Sequence, residues 1–477
     1  MKLPSMSQIF DGAYRTLLRF PLVLFCALLG TVSAFILVDY EGPQSATIFF
    51  KILFSSVLGI PLLLGLKLLA EKMGWEGWRS LTLNLAGIVL LIGYALTVPL
   101  TLSFGPFYHI QRLLVLTVAM YLFVAVAPFL NLEEQNGFWQ YNKILLFRFL
   151  GAAVYSNVLY LGLCLAIAAL DQLFGINILA KRYGELWIVI FGILNTWLFL
   201  SSVPKDLKSL DLLTEYPKSF SILIEFVLAP LALIYVILVY AYTVKIVFTW
   251  GWSNGWISKL ILGFAATGML SVILLDPIRD RENVRWVQAI FRWFFVAMIP
   301  LIVELPLAVW RRVSEFGMTE ARYIAAALAV WLIGIVAYFA LSRGKDIKII
   351  PLSLGILALA ICYGPWSMFH ISEQSQLGRL RGLLERDSIL VAGVVHKASA
   401  PVCQEDARQV SSLLVYLYQY HGFDMIQPWF PVDLRKDTTS ALSEWKEPAL
   451  VAKLMGVDFV ILRPGGGENL VAFGMEQ

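Results

Sequence analysis

Two apolar runs lie close together between Trp286 and Leu341, Val287 to Trp310 and Ala321 to Leu341, and each exceeds 20 residues. A helix rises about 1.5 Å per residue, so roughly 20 residues cross a hydrocarbon core of about 30 Å. Both runs are predicted to span a membrane. The polar segment from Arg311 to Glu320 joins them. In it, Gly317 suits the left-handed conformation that ends a helix. Thr319 suits the cap of the next helix, where Glu320 faces its positive end. A helical hairpin with a sharp corner is the expectation. Pro300 and Pro306 fall inside the first run and are expected to free the carbonyls of Val296 and Ile302, bending the helix around Glu304.

Nine further runs of this kind are predicted to span: Phe20 to Val38, Thr47 to Ala70, Leu81 to Ser103, His109 to Leu130, Ile144 to Leu170, Glu185 to Val203, Phe220 to Phe248, Ile257 to Leu275 and Ile349 to Met368. The total is about 11. With 59% hydrophobic residues, 15% charged and a mean hydropathy of +0.75, the composition excludes a soluble protein of this length. The first run reads as an uncleaved signal anchor, because no small-x-small cleavage site precedes Asp39-Tyr40-Glu41. Placing the N-terminus in the cytoplasm puts about 15 Lys and Arg residues of the connections inside and about 6 outside. Arg311, Arg312 and Arg322 are three of the exceptions, and Glu315 and Glu320 are near enough in sequence to pair with them. An odd number of spans then puts the tail outside.

After Phe369 the pattern changes. Ser372 to Arg386 and Glu405 to His421 have helical periodicity, Ile389 to His396 and Asp458 to Leu462 read as strands, and Ala449 to Met455 as a short helix. The fold class is therefore an all-α polytopic membrane bundle over residues 1–370 and a small extracytoplasmic α+β domain over 371–477. Val410, Leu413, Leu414 and Leu417 form its core face, and Trp429 and Phe430 between two prolines are offered as an exposed binding surface.

The corner also carries a resemblance. Trp310 to Tyr323, Arg19-Phe20-Pro21, Phe138 to Lys143, Asp276 to Arg281, Ser375-Gln376 with Leu377 and Arg379-Leu380 together resemble a bacterial inner-membrane family known as domain of unknown function 4153. The resemblance implies architecture and an inner-membrane location, and no catalytic residues. It also implies that relatives continue past Gly465-Gly466-Gly467, so the tail is expected to be incomplete.

Charges inside the apolar runs are the candidate functional residues, since a buried charge is costly there. Glu304 and Glu225 stand out, on opposite sides of the midplane and roughly 20 Å apart, too far to share a proton. Arg148 and Lys218 are the candidate partners of Glu225, and Lys51, Arg311 and Lys259 those of Glu304. An ion pair between helices competes with a substrate or proton path. The corner residues Arg312, Gly317, Thr319, Glu320 and Arg322 complete the set. His109, His370, His396 and His421 are scattered and the four cysteines form no close pair, so no metal site, disulfide or cofactor is expected. No nucleotide-binding, G-x-S-x-G or H-E-x-x-H motif occurs, no catalytic residue is assigned, and nothing points to nucleic acid. The partners expected are the lipid bilayer and a protein bound by the C-terminal domain. Two functions stay open, a small-molecule or lipid carrier and a sensor or scaffold presenting its tail outside. A glycosyltransferase-like enzyme, suggested only by Asp39-Tyr40-Glu41, is remote.

Overall fold

The structure, a computed structural model, describes residues 6–40, 43–98, 106–130, 134–249, 256–279, 285–341, 346–434 and 446–460. The outer limit of the third run, the connection at 280–284, Arg343 and Lys345, and the end from residue 461 with its three glycines lie outside the described residues.

The chain is a succession of helices: α1 (Met6–Arg19), α2 (Pro21–Asp39), α3 (Pro43–Met73), α4 (Trp78–Thr97), α5 (Pro106–Val126) and α6 (Gln135–Phe174). Next come α7 (Lys181–Val189) and α8 (Thr196–Ser201), joined by a wide π-type turn at Ile190–Asn195, and α9 (Lys218–Leu223) and α10 (Ala229–Thr249), joined by another at Ile224–Leu228. The series continues with α11 (Trp256–Leu275), α12 (Arg285–Phe316), α13 (Glu320–Leu341) and α14 (Ile349–Ala360), and the tail adds α15 (Met368–Arg386), α16 (Gln404–Tyr420) and α17 (Lys446–Met455). Ten described helical segments are long and apolar enough to cross a membrane. Their outward surfaces explain why. The apolar window of Gln135–Phe174 has a mean hydropathy of 1.9 yet is only 6% buried within the protein, so its side chains require a nonaqueous surround. This is a multi-pass membrane protein.

The eleventh predicted span needs correction. The helix from Ile349 stops at Ala360 after 12 residues, a rise of about 18 Å. Gly364 at φ 88° turns the chain, and Ser367 starts a separate helix by accepting a bond from His370 N–H. A Gly-Pro pair at 364–365 inside an apolar run was the signal for that break. Pro300 and Pro306, by contrast, do not interrupt α12, which is helical from Arg285 to Phe316.

Two compact units divide the chain. The first takes in residues 1–100, 113–303 and 331–359. Within it α2, α3 and α4 pack in succession, and the π-type turn approaches α2 so closely that a Cβ on Gly192 would lie 2.1 Å from Thr31 Oγ1. Only glycine fits there. α14 runs back along α13, as Trp331 Nε1 donates to Ser353 Oγ at 2.9 Å and Asp346 N–H to Tyr338 Oη at 3.1 Å.

The second unit takes in residues 101–112, 304–330 and 360–477. Its core joins Leu380 and Leu384 of α15, Val410 and Leu414 of α16, and Val451 and Met455 of α17. Leu413 and Leu417 are buried there as well. The predicted strand from Ile389 is instead a tight hairpin, Leu390–Val391 paired with Val394–Val395, because Ala392 and Gly393 both take positive φ as a two-residue turn requires. Residues 457–460 form no strand, and 461–462 lie outside the described residues. Phe430 is 7% exposed and belongs to the core, while Trp429 is half-buried against it, so of the pair expected as an exposed binding surface Phe430 is core.

Candidate functional site

The hairpin corner is where polar side chains from distant parts of the sequence meet. α12 ends with Gly317 at φ 70°, whose N–H donates to Val313 O at 2.8 Å. α13 begins when Tyr323 N–H donates to the carbonyl of Thr319 at 2.8 Å. The backbone of Thr319 makes that bond, and among the described residues its hydroxyl caps no helix N–H. α15 closes over the corner. Ser375 Oγ accepts from Met318 N–H at 2.9 Å, and Gln376 Nε2 donates to Phe316 O at 3.1 Å and Met318 O at 2.7 Å. Arg322 Nη1 donates to Phe316 O at 3.1 Å and Gly317 O at 2.6 Å. The corner thus presents its free carbonyls, and Gln376 and Arg322 satisfy them.

Glu320 is 2% exposed and faces the tail rather than the corner arginines. Tyr416 Oη donates to its Oε2 at 2.7 Å, and His421 Nε2 lies 2.9 Å from Oε1, an ion-pair separation rather than a well-directed hydrogen bond. Burial, reinforced by that carboxylate, raises the Tyr416 phenol well above its ordinary value, so it stays a donor. Tyr108 packs edge-on to His421 at 6.4 Å and against Phe369 at 4.2 Å, and Tyr420 stacks on Tyr416 at 5.0 Å. His421 was unremarkable in the sequence. Only a contact between residues 101 positions apart gives it a role.

Glu315 pairs with Arg311 at 3.2 Å. Arg312, Arg322 and Arg379 pair with no carboxylate among the described residues, and Arg322 lies within electrostatic range of the other two. Burial lowers the pKa of Arg379 below the ordinary arginine value.

The first unit holds a different polar group, built from the other motif residues. Arg19 grips Glu71 with Nε at 3.1 Å and Nη2 at 2.8 Å, and donates to Val203 O at 2.8 Å and Pro204 O at 2.7 Å. Lys72 pairs with Glu134 and donates to Leu207 O at 3.1 Å. Gln140 Nε2 donates to Leu213 O at 3.1 Å, Trp139 Nε1 to Ile273 O at 2.9 Å and Tyr141 Oη to Val124 O at 3.0 Å. Arg19, Lys72 and Gln140 tie the connection after α8 to the helices around it, and Trp139 and Tyr141 tie α6 to α11 and α5. Their partners are mostly backbone carbonyls, which a sequence reading cannot see. A cleft of about 450 Å³ beside Arg19 is lined also by Asp11, Arg15 and Lys205.

Of the intramembrane candidates, Glu225 is paired with neither of its expected partners, Arg148 and Lys218, among the described residues. Glu225 and Arg148 are exposed on their helices. Lys51 is half-buried on α3, and Glu304 is half-buried between the two prolines. Asp39, half of the acidic pair behind the enzyme reading, is held by Lys181 and lies 3.7 Å from Arg182, while Glu41 is outside the described residues. No three His, Cys, Asp or Glu side chains among the described residues are placed to hold a metal ion.

A bundle of apolar helices with a helical tail defines a multi-pass membrane protein. The chain belongs to the family described as Domain of unknown function (DUF4153), which matches residues 23–381. It is also similar to an uncharacterized protein, PM1469, of Pasteurella multocida (strain Pm70), with 23% identity over 338 residues. That match covers 69% of this chain and 56% of the relative, so the chain spans little more than half of the relative's length. No solved structure matches.

Proposed function

We propose that this chain is a sensor or scaffold of the bacterial inner membrane, in which the spans hold the tail against the α12–α13 corner on the extracytoplasmic side. The observation that carries the reading is the set of bonds from Ser375, Gln376 and Tyr416 to Met318, Phe316 and Glu320. Bonds of that reach require the tail and the corner to share one side of the membrane. The Lys and Arg bias assigns that side to the exterior and the N-terminus to the cytoplasm. The chain between α13 and the tail must then return across the bilayer through the short α14 and the turn that follows it. A soluble region held on a membrane loop by a handful of polar contacts can dock and release, which is what a sensor or scaffold needs.

A membrane-impermeant maleimide tests the arrangement. Cys403, which is exposed, and a cysteine introduced by Ser314→Cys at the exposed corner are expected to label together in intact spheroplasts. Labelling of one without the other refutes the docking; labelling of both only after lysis keeps the docking and reverses the orientation. The carrier reading rests on Glu304, half-buried in a helix that holds two prolines.

A further inference from the structure

We propose that Arg312, Arg322 and Arg379 form a binding site for a phosphate-bearing anion at the membrane surface. The three side chains converge on Phe316 and Gly317. The guanidinium carbons of Arg312 and Arg322 lie 5.8 and 5.5 Å from the centre of the Phe316 ring, and Arg379 Cδ lies 2.7 Å from where a Cβ on Gly317 would stand. Arginine arrives from three different places in the sequence, the end of α12, the start of α13 and the middle of α15.

Among the described residues no carboxylate pairs with these charges. Glu315 is engaged with Arg311, and Glu320 with Tyr416 and His421. Three guanidinium groups held near one another repel, and an anion between them removes that cost. Arg322 spends Nη1 on the two corner carbonyls, and among the described residues its Nε and Nη2 bond no protein acceptor. Guanidinium N–H pairs match the spacing of phosphate oxygens and bind them in a fork.

Location narrows the class of ligand. The corner joins two spans, ending at Phe316 and starting at Glu320, which is the depth of lipid headgroups. Trp310 is 74% exposed and Phe316 47% exposed on the same helix, side chains suited to the boundary between headgroups and acyl chains. On the proposed orientation these arginines also break the rule that basic residues stay in the cytoplasm, and a ligand that needs them there accounts for the exception. The site stands on its own contacts, whichever side the corner faces. A phosphodiester of an anionic lipid and a soluble phosphate compound share the chemistry.

The test uses the full chain in mixed micelles of detergent, phosphatidylcholine and phosphatidylglycerol, with bound lipid counted by native mass spectrometry. A second arm follows thermal unfolding in phosphatidylcholine micelles with added inorganic phosphate or pyrophosphate. The variants are Arg312→Gln with Arg379→Gln, leaving Arg322 to hold the corner. Arg381→Gln is the control, since Arg381 pairs with Glu385 at 2.7 Å on the same helix. The unmodified chain is expected to retain phosphatidylglycerol at least about tenfold better than the double variant, with the control unchanged. Stabilisation by phosphate or pyrophosphate of the unmodified chain alone, without lipid selectivity, assigns the site to a soluble anion. If the double variant does not fold, Arg312→Lys with Arg379→Lys replaces it and is expected to weaken retention while keeping the net charge. Equal retention by the variants and the unmodified chain, with no effect of phosphate, overturns the proposal.

Discussion

Replacing Gly317 by alanine tests the corner with one methyl group. The residue sits at φ 70°, where a side chain costs roughly 1–2 kcal/mol. The added Cβ would also stand 2.7 Å from Arg379 Cδ, 2.9 Å from Gln376 Nε2 and 3.1 Å from Ser375 Oγ. The Arg379 stem can swing aside. Gln376 and Ser375 cannot do so without losing their bonds to Phe316 O, Met318 O and Met318 N–H. Two or three hydrogen bonds at about 1 kcal/mol each put the loss of docking at roughly 2–3 kcal/mol, separate from the backbone strain. Amide exchange measured by mass spectrometry in nanodiscs reads that loss as a rise of roughly 30- to 150-fold in the opening of α15. Gly378→Ala is the matched control, because no atom lies within 4 Å of its added Cβ and an alanine in a helix is neutral or mildly favourable. Unchanged exchange across residues 372–379 in Gly317→Ala, or an equal change in the control, refutes the reasoning.

Arg19→Lys should lower thermal stability in detergent by roughly 2–4 kcal/mol, since an ammonium cannot reproduce the two-point grip on Glu71 while reaching two carbonyls; an unchanged melting temperature contradicts the clamp. Tyr416→Phe removes one donor from a carboxylate that is 2% exposed, and about 1.5–3 kcal/mol of local stability in α16 should go with it, read again by amide exchange. Glu304→Gln is expected to reduce thermal stability or a cellular readout of the protein if the carboxylate has a cation or proton to hold; no change in either removes the main support for a carrier.

The apolar runs made most of the membrane architecture legible, because a run of 20 apolar residues has few alternatives to a span. α14 escaped because hydropathy does not register a turn whose residues are themselves apolar or small, as Ile361, Cys362, Gly364 and Pro365 are. In the tail, the stripe of Val410, Leu413, Leu414 and Leu417 marked both helix and buried face. The same pattern logic failed at Ile389 to His396, where two positive φ angles fold one strand into a hairpin. The corner shows the other limit. Gly317 and Glu320 could be picked out from local rules, but Gln376, Tyr416 and His421 act on the corner from 58 to 101 residues away. Their roles depend on tertiary contact, for which one sequence carries no period or motif.

On the proposed orientation, in which α14 and the turn after it return the chain across the bilayer, the brevity of α14 couples the protein to the thickness of the membrane around it. Its 12 residues fall about 12 Å short of the hydrocarbon depth. The turn that follows bonds within itself, with Met368 N–H bonded to Ile361 O at 2.9 Å and Trp366 Nε1 to Ala360 O at 3.1 Å. Lipid beside such an element thins to meet it, at a cost of a fraction of a kcal/mol for each ångström of mismatch. Longer acyl chains raise that cost and shorter ones relieve it. On that orientation the composition of the bilayer, through nothing more specific than the length of its tails, biases where in the membrane this protein gathers and how firmly the return through α14 is held.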